Sequence, residues 1–383
     1  MSRSIPVQLG ERTYAVQVGS GLLGQLGRTV ASLRARAAVV ITDSNVAALY
    51  GPRAVESLRQ SGVSAELIAF PAGEANKTLA TCSRLFDALF AVAPPVDRRT
   101  VIVALGGGVA GDVAGFVAAT ALRGLRFVQC PTTLLADVDS SVGGKTGVDH
   151  PAGKNLIGAF HQPSAVLINV DLLSTLTPPE FANGLAECVK HGVIGGAGFQ
   201  PAASPGPAQV GNLCHQTLLD FLEENARAIL ARQGDVLEEL VARNVAIKAA
   251  VVSADEREAG LREHLNFGHT IGHAVETFLG YGTISHGQAV ALGLVAECAL
   301  AVERGLVPAA DARRVETLLS ALGLPVRWKG LDGPRIWDIM LHDKKARAGQ
   351  VRMVLPTRLG EVDVFSDITP QASLAAVARL GGG

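Results

Sequence analysis

Short apolar runs alternate with longer segments of helical spacing along the first half of the chain. Residues 38–42, 101–105 and 127–130 are apolar runs of strand length, and each is followed by polar, glycine or proline residues. Residues 81–91 and 109–122 between them have helical spacing. Strands that are apolar along their whole length and alternate with helices are typical of a mostly parallel sheet covered on both faces. The pattern therefore predicts a Rossmann-like α/β fold with a mostly parallel sheet.

The pattern changes to helices from about residue 177. Thr177 and Glu180 have the spacing of a capping box around two prolines, which is a typical helix start. Residues 216–233 have the spacing of an amphipathic helix, and Ser285 can cap an apolar helix over residues 286–303. We therefore predict an all-α C-terminal domain.

We place the α/β domain at residues 1–170 and the all-α domain at residues 171–383. The length of 383 residues suits two domains of ordinary size. With 48% hydrophobic and 18% charged residues, the composition excludes a disordered chain. The formal net charge of -1 argues against a nucleic-acid-binding protein, which normally has a basic excess.

The cysteines and the N-terminus indicate a reducing, cytoplasmic setting. The chain has 5 cysteines, no Cys-x-x-Cys pair, and no apolar leader segment at its start. Residues 100–122 resemble a membrane span, but they contain Asp112 and several glycines. A buried strand followed by a buried helix explains this stretch better, so we expect no membrane segment.

A glycine loop follows the second apolar run and opens a predicted helix. Its glycines fit G-x-G-x-x-G at positions 106, 108 and 111, a pattern that lets a pyrophosphate approach a helix N-terminus. The acidic residue usual about 20 positions later is missing, since the nearest is Asp137. A tight turn without a ligand therefore remains an alternative. Asp43 and residues 73–77 also follow apolar runs and suit cofactor contacts, although either could be an ordinary polar turn.

Several cations lie near a second glycine-rich segment. Residues 139–146 resemble the end of a Walker A motif, but Asp139 stands where that motif needs glycine, so an NTPase is not supported. Lys145, Lys154 and Arg123 near glycine turns suit an anionic, phosphorylated substrate. Solvated surface side chains are the alternative.

Lys248 lies on the apolar stripe of an amphipathic helix predicted over residues 236–252. A lysine in that position either extends along the apolar surface to water or points into a site. We favour the site.

Three histidines within 18 residues suggest a metal centre. His269 and His273 are four residues apart on one helix face, His286 begins the next predicted helix, and Glu187 lies on the helix that starts near Thr177. Two histidines and a carboxylate are the usual ligands of a catalytic zinc with an open position. Position 270 is Thr, so the H-E-x-x-H motif of zinc proteases is absent. Any one histidine could be a buried, hydrogen-bonded side chain, and spacing alone does not single out Glu187.

Long segments of the chain resemble the 3-dehydroquinate synthase family of sugar-phosphate cyclases, from about Asp43 to Val354. They are GGGVAGDVAGFVAAT, RGLRFVQCPTTLLADVDSSVGGKTGVDHPAGKNLIGAFHQP, AECVKHG, DEREAGLREHLNFGHTIGHAVE and HDKKARAGQVRMVL. The resemblance implies an NAD-binding first domain and a second domain that binds metal and substrate. It also implies a homodimer with a small sugar-phosphate substrate.

The resemblance implies a role for each matched residue. The implied ligands of zinc or cobalt are Glu187, His269 and His286. The implied catalytic residues are Lys145, Asn155, Lys190, Lys248, Glu258, Arg262, Asn266 and His273. The implied substrate-binding residues are Arg123, Asp139, Lys154 and Lys344 or its neighbour Lys345. The implied NAD contacts are Asp43, Asn45, Glu74, Lys77, Gly107, Gly108, Val109, Asp112, Thr132, Thr133, Asp139, Lys154 and Thr175.

The implied reaction belongs to the shikimate pathway of aromatic amino-acid biosynthesis. It converts 3-deoxy-D-arabino-heptulosonate 7-phosphate into 3-dehydroquinate and phosphate. The steps are transient oxidation by NAD, β-elimination of phosphate, reduction, ring opening and intramolecular aldol closure. The alternatives are another sugar-phosphate cyclase, an NAD-dependent polyol dehydrogenase of the same architecture, and a non-catalytic NAD- and metal-binding regulator.

Three features depart from the family pattern. Gln288 stands in His286-Gly287-Gln288, where the family usually has His-Gly-Glu. We expect that change to remove a carboxylate behind a metal ligand and to loosen metal binding. His191 replaces a more usual tyrosine, and residues 195–212 resemble an insertion in a surface loop.

Overall fold

The computed structural model describes residues 2–195, 216–280, 282–342 and 350–381. The chain folds into two units. The first unit comprises Met1–Leu176 and Leu237–Ser253, and the second comprises Thr177–Val236 and Ala254–Gly383.

Eleven strands and twelve α-helices are found in the described part of the chain. The strands are β1 (Arg3–Val7), β2 (Tyr14–Gly19), β3 (Ala37–Asp43), β4 (Ser64–Phe70), β5 (Thr100–Gly106), β6 (Arg126–Pro131), β7 (Lys145–His150), β8 (Gly153–Phe160), β9 (Ala165–Asn169), β10 (Met353–Arg358) and β11 (Glu361–Phe365). The helices are α1 (Leu26–Ser32), α2 (Ser44–Gln60), α3 (Leu79–Phe90), α4 (Gly108–Thr120), α5 (Pro178–Ile194), α6 (Leu218–Leu230), α7 (Gly234–Ala254), α8 (His269–Leu279), α9 (His286–Glu303), α10 (Ala309–Ala321), α11 (Gly333–Leu341) and α12 (Pro370–Leu380).

The main sheet of the first unit is almost entirely parallel. Among the described residues it has seven strands in the order β1-β2-β9-β6-β5-β3-β4, and only the β1–β2 pair is antiparallel. The three strands predicted from apolar runs are β3, β5 and β6. The predicted α/β fold is confirmed.

Alternation along the strands places apolar side chains on both faces of this sheet. Val40 and Val103 pack with α1 and α2 on one face, whereas Val39 and Ile102 pack with α3 and α4 on the other. Because both faces are covered, the central strands β3, β5, β6 and β9 are buried along nearly their whole length rather than at alternate positions. The sheet therefore presents its carboxyl-end edge, rather than a face, to ligands.

The cationic glycine segment forms a two-stranded antiparallel hairpin that the sequence analysis did not predict. Lys145 of β7 pairs with Phe160 of β8, and His150 pairs with Gly153 at the turn end. Much of β8 is exposed, so its sequence lacks the apolar run that marks the strands of the main sheet. Close glycine packing of Gly147 against Gly158 allows the two strands to approach.

Helix α7 changes the predicted domain boundary. The sequence analysis assigned all of residues 171–383 to one domain, whereas Leu237–Ser253 belongs to the first unit. The Glu238 carboxylate accepts hydrogen bonds from the backbone and side chain of Ser20, each at 2.9 Å. The Ser253 hydroxyl accepts one from the backbone N–H of Gln8 at 2.8 Å. Amphipathic spacing identified the helix, but the unit to which it belongs depends on these contacts with residues far away in the sequence.

The second unit is helical, as predicted, and adds one hairpin, β10–β11, that the sequence analysis did not predict. The predicted capping box is present at Thr177 with Glu180, and the predicted cap Ser285 forms a second capping box with Gln288. Helices α8 and α9 pack closely, since a Cβ on Gly272 would lie 2.9 Å from the Ala289 carbonyl oxygen. Within the described residues, no helix is both long enough and apolar enough to cross a membrane.

Candidate cofactor and metal sites

Three adjacent strands of the first unit bring the predicted cofactor residues to one edge of the sheet. Asp43 ends β3, Gly106 ends β5, and Thr132 follows β6. The Thr132 N–H donates to the Gly106 carbonyl at 3.1 Å. A Cβ on Gly106 would lie 3.4 Å from Oδ2 of Asp43, and one on Gly107 would lie 3.0 Å from the Thr133 methyl group. The glycine turn is therefore in direct contact with both neighbouring loops.

The glycines of the turn have two separate physical roles. Gly106 has a φ of 153°, and a Cβ there would lie 2.6 Å from the Ala110 Cβ. Gly111 allows α4 to lie against the Gln129 side chain on β6. No side chain caps the start of α4, so the N–H groups of its first turn face the turn without a side-chain acceptor. This arrangement fits an anionic group such as a pyrophosphate.

Asp43 also has a local structural role that spacing could not distinguish from cofactor binding. Its Oδ1 accepts the N–H groups of Asn45 at 2.9 Å and Val46 at 3.1 Å, which caps α2. The opposite oxygen, Oδ2, is the one that faces Gly106. Asp43 can therefore cap α2 with Oδ1 and still contact a cofactor with Oδ2.

Lys77 joins two groups of predicted site residues within the first unit. Its buried Nζ lies 2.7 Å from Oδ2 of Asp112 and donates to Oδ1 of Asn155 at 2.5 Å. Burial lowers the pKa of Lys77, but Asp112, Glu74 and the nearby Asp149 raise it more, so the lysine stays charged. Predicted cofactor residues and the predicted catalytic Asn155 are therefore in contact.

The turn of the β7–β8 hairpin is held in an unusual backbone conformation. Asn155 has a φ of 53°, and its N–H donates to Oδ1 of Asp149 at 2.8 Å. Lys154 beside it lies 3.8 Å from Oε1 of Glu74. Asp149 thus positions the predicted site residue Asn155, although the sequence pattern did not single out Asp149.

Lys248 is buried, as its place on an apolar stripe predicted, and it points to Asp139. Its Nζ donates to the Asp139 carbonyl oxygen at 2.5 Å and pairs with the carboxylate of the same residue. Asp139 lies in a single π-helical turn, a feature often found at functional sites. A loop carboxylate and a helix lysine are therefore paired within the first unit.

Other predicted residues of the first unit are less closely grouped. Arg123 is exposed at the far end of α4 from the glycine turn, roughly 20 Å away at 1.5 Å per residue. Lys145 is exposed at the first position of β7, several residues along the hairpin from Lys154. The Thr175 hydroxyl lies 2.7 Å from the Tyr50 hydroxyl. Lys344 and Lys345 lie outside the described residues.

In the second unit, four predicted residues converge. Oε1 of Glu187 on α5 lies 3.4 Å from Nε2 of His269 and 3.5 Å from Nε2 of His286. One ring nitrogen each from His269, His273 and His286 lie within 4.8 Å of one another. Helices α5, α8 and α9 therefore bring together a carboxylate and three imidazoles that are far apart in the sequence.

The Glu187 carboxylate is suited to holding a metal ion. It is fully buried, and neither oxygen accepts a hydrogen bond of good geometry from the described residues. Its Oε2 forms an ion pair with the buried Lys190 one turn later on α5. Burial raises the pKa of the Glu187 carboxyl, but Lys190, His269 and His286 outweigh it and hold that pKa well below its usual value. An ionised carboxylate beside imidazole nitrogens is a zinc-type ligand set.

The two imidazoles that face Glu187 are each held from behind. Nδ1 of His269 donates to the carbonyl oxygen of Phe267 at 3.0 Å. Nδ1 of His286 lies 3.5 Å from Oε2 of the buried Glu276. Burial lowers the pKa of His286, but the carboxylates of Glu187 and Glu276 raise it to about 9. Glu276 is a site residue that the sequence analysis missed, although it lies on the same helix as His273.

The predicted effect of Gln288 is not supported by its contacts. Its Oε1 accepts the backbone N–H of Ser285 at 3.0 Å, which completes the capping box of α9. The side chain therefore satisfies a helix end, and the carboxylate behind His286 comes from α8 instead. The expected loosening of metal binding by Gln288 stays a prediction.

A buried carboxylate also holds the start of α8. Glu297 on α9 is fully buried and accepts the N–H groups of Gly268 and Ile271. Gly268 has a φ of 78° and contacts Leu294, so α8 begins at a fixed point on α9. The helix that contains His269 and His273 is therefore anchored at its first turn.

The remaining predicted residues of this unit lie on one irregular segment. Asn266 donates to Oε1 of Glu258 at 3.4 Å, and Arg262 is almost fully buried. The Asp255 carboxylate accepts the N–H groups of Ala259, Gly260 and Arg262 at 2.8–3.0 Å. Asp255 therefore shapes the loop on which three predicted catalytic residues lie.

Solved structures share this architecture over nearly the whole chain. A 2-deoxy-scyllo-inosose synthase complexed with carbaglucose-6-phosphate, NAD+ and Co2+ is 25% identical, covers 98% of this chain and 99% of its own, and has a TM-score of 0.83. The 2-epi-5-epi-valiolone synthase from Streptomyces hygroscopicus subsp. jinggangensis with NAD+ and Zn2+ bound is 28% identical, covers 96% of each chain, and has a TM-score of 0.82. A glycerol dehydrogenase from Schizosaccharomyces pombe shares the fold at a TM-score of 0.64, with 18% identity over 94% of this chain and 87% of its own. The chain thus has the fold of these sugar-phosphate cyclases, a fold that the glycerol dehydrogenase shares.

Sequence comparison resolves the family within this fold. The 3-dehydroquinate synthase N-terminal profile matches residues 67–183, and the 3-dehydroquinate synthase C-terminal profile matches residues 208–346. The 3-dehydroquinate synthase of Desulforamulus reducens is 44% identical over 98% of this chain and 99% of its own, and that of Symbiobacterium thermophilum is 45% identical over 96% and 97%. The chain belongs to the 3-dehydroquinate synthase family, which confirms the resemblance found in the sequence.

Proposed function

We propose that this protein converts 3-deoxy-D-arabino-heptulosonate 7-phosphate into 3-dehydroquinate and phosphate, with NAD and a divalent metal ion as cofactors. The observation that carries the proposal is the buried Glu187 carboxylate with two imidazole nitrogens at 3.4 and 3.5 Å. Two relatives of the same fold bind NAD+ with Co2+ or Zn2+. Family membership at 43–45% identity selects the heptulosonate substrate among the cyclases.

Each unit contributes one part of the chemistry. Glu187, His269 and His286 would hold the metal, and the turn of Gly106–Gly108 with Asp43 and Thr132 would hold NAD. When bound, the two cofactors supply a transient oxidation of a substrate hydroxyl whose oxygen the metal polarises. Within the protein, the glycine turn presents N–H groups to the pyrophosphate, and Asp112 with Lys77 fixes the loop beside it.

The cationic residues would bind the substrate's phosphate and carboxylate. The candidates that the family resemblance gives are Lys145, Lys154, Lys190 and Arg262. Ammonium and guanidinium groups stabilise the charge that builds up on a departing phosphate. His273 carries no assigned metal role and would move a proton on the substrate through its imidazole.

We also propose that the protein is a homodimer and works in the cytoplasm. The chain has an odd number of cysteines, which supports a reducing compartment. The four cysteines within the described residues are buried and form no disulfide bond with one another.

One incubation tests the proposed reaction. The protein is mixed with the heptulosonate phosphate, NAD and Zn2+, and inorganic phosphate and NADH absorbance are read together. Because the oxidation is reversed within each turnover, phosphate should accumulate while NADH stays at or below one per active site. NADH that rises in proportion to product would support a polyol dehydrogenase instead. Phosphate release only from a different sugar phosphate would support another cyclase, and neither product would support a non-catalytic protein.

A further inference from the structure

The imidazole of His286 lies between two carboxylates. Its Nε2 lies 3.5 Å from Oε1 of Glu187, and its Nδ1 lies 3.5 Å from Oε2 of Glu276. The Glu276 side chain is only 7% exposed, so its charge is poorly compensated by water. The close packing of α8 and α9 at Gly272 brings Glu276 within reach of a residue that begins the next helix.

The geometry fixes which nitrogen of His286 can bind a metal. An ionised carboxylate only accepts hydrogen bonds, so Nδ1 must carry the proton that faces Glu276. The lone pair of Nε2 is then directed to the Glu187 side. His269 has the same arrangement, with the neutral Phe267 carbonyl in place of the carboxylate.

We propose that Glu276 is a positioning residue for the metal site, acting through His286. Its carboxylate holds the imidazole in one orientation and one tautomer and makes Nε2 a stronger donor. A carboxylate behind a histidine ligand typically contributes 10- to 100-fold in metal affinity. The inference deepens the proposed function, because it rests on the metal assigned there to Glu187, His269 and His286.

Gln288 provides the matched control. It lies two residues after His286, but its Oε1 accepts the Ser285 N–H and its own N–H donates to Ser285 Oγ at 3.3 Å. A glutamate at this position keeps the capping box, which uses Glu or Gln equally. Gln288→Glu therefore adds a carboxylate near His286 without changing the contact to Nδ1.

The experiment compares zinc retention by the full-length chain in wild type, Glu276→Gln, Glu276→Leu and Gln288→Glu. Zn2+ affinity is measured by competition with a chromophoric chelator. Glu276→Leu should weaken zinc binding about 10- to 100-fold, and Glu276→Gln should weaken it less, since the amide oxygen can still accept the Nδ1 proton. Gln288→Glu should retain zinc within about 2-fold of wild type, because it leaves the carboxylate behind His286 in place.

A second readout separates positioning from a general effect on stability. Nuclear magnetic resonance of histidine-labelled protein reports which ring nitrogen carries the proton. In the zinc-loaded wild type both His269 and His286 should show Nδ1 protonated, and Glu276→Gln should change the Nδ1 shift of only one of these two histidines. A purely structural role would lower the melting temperature of all zinc states equally and leave the shift unchanged.

Three outcomes overturn the inference. If Glu276→Leu and Glu276→Gln both bind zinc as tightly as wild type, Glu276 does not support the metal, although the proposed reaction can still proceed. If Gln288→Glu alters zinc affinity more than the Glu276 variants do, the supporting position is 288. If Glu276→Leu does not fold, Glu276→Gln decides the matter. A wild type that binds no zinc contradicts both the inference and the metal part of the proposed function.

Discussion

At the scale of single residues, the metal cluster combines groups with very different signals in the sequence. His269 and His273 stand out because they are four residues apart on a helix, whereas Glu187 lies on a distant helix and only the family resemblance pointed to it. Glu276 had no signal, because its role depends on the packing of α8 against α9 rather than on spacing. Tertiary packing therefore determines which carboxylates lie beside the histidines, and residue spacing contains no information about that packing.

The imidazole of His269 is expected to be essential for metal retention. His269→Ala removes one nitrogen from the cluster and should leave Glu187 as a buried carboxylate with one fewer partner, so bound zinc should be lost. Elemental analysis of the purified protein after dialysis provides the measurement. His342→Ala, which changes an exposed histidine elsewhere in the second unit, is the control. One zinc per chain in His269→Ala would rule out His269 as a ligand.

Lys145 is expected to act on the substrate rather than on NAD. Lys145→Ala should lower kcat/KM by at least ~100-fold, on the ~2–5 kcal/mol scale of a truncated charged contact. NAD affinity, measured by calorimetry, should stay unchanged, because the glycine turn and Asp43 belong to other loops. Lys329→Ala removes an exposed lysine and serves as the control. An equal loss of NAD affinity and activity would contradict this division of the first unit.

The buried thiols are expected to be inert near neutral pH. Burial raises the pKa of Cys82 to about 11 and that of Cys130 to about 12, so the reactive thiolate form is scarce until the pH approaches those values. In a Cys214→Ser background, Ellman's reagent should therefore react with the native protein at pH 8 only as fast as the protein unfolds. Full reaction in urea is the control. Rapid reaction of a native thiol at pH 8 would contradict this burial.

At the scale of elements, capping residues predicted where helices begin. Thr177 and Ser285 begin helices as their spacing indicated, since a capping box needs only local residues. The same local chemistry explains Gln288, which the family pattern alone had linked to the metal. The β7–β8 hairpin was not predicted because β8 is largely exposed and neither strand consists of one continuous apolar run.

The contact between α8 and α9 is expected to be sensitive to a single methyl group. Gly272→Ala would place a Cβ 2.9 Å from the Ala289 carbonyl oxygen and push the two helices apart. We expect a destabilisation of roughly 1–3 kcal/mol, seen as a melting temperature several degrees lower, together with weaker zinc binding. Gly234→Ala is the matched helical control, since nothing lies within 4 Å of its added Cβ. An unchanged melting temperature and zinc affinity in Gly272→Ala would show that the helices adjust without cost.

At the scale of the whole molecule, the hydrophobic periodicity predicted an α/β unit and a helical unit, but it did not predict that α7 belongs mainly to the first unit. Its buried positions are equally apolar whichever unit they face, so the spacing of residues 236–252 contains no information about the partner. The family resemblance supplied the chemistry, and the relatives at 43–45% identity confirm it. What sequence could not provide was the set of contacts between elements far apart in the chain.

We expect two chains per particle in solution. Light scattering on a size-exclusion column should give about twice the chain mass of 39.6 kDa. Dilution over two orders of magnitude tests whether the association is tight. A single-chain mass at every concentration would contradict the expected homodimer.

The path of the chain through α7 has a consequence for biosynthesis. The first unit needs Leu237–Ser253, yet the ribosome makes Thr177–Val236 before it. At about 5–20 residues per second, several seconds pass between the completion of β9 and the emergence of α7. During that interval the nascent chain holds a complete parallel sheet without its last helix. A gene cut between the codons for Leu176 and Thr177 would therefore encode the second unit in full but leave the first unit without Leu237–Ser253. The first unit would be completed only if both fragments were produced together.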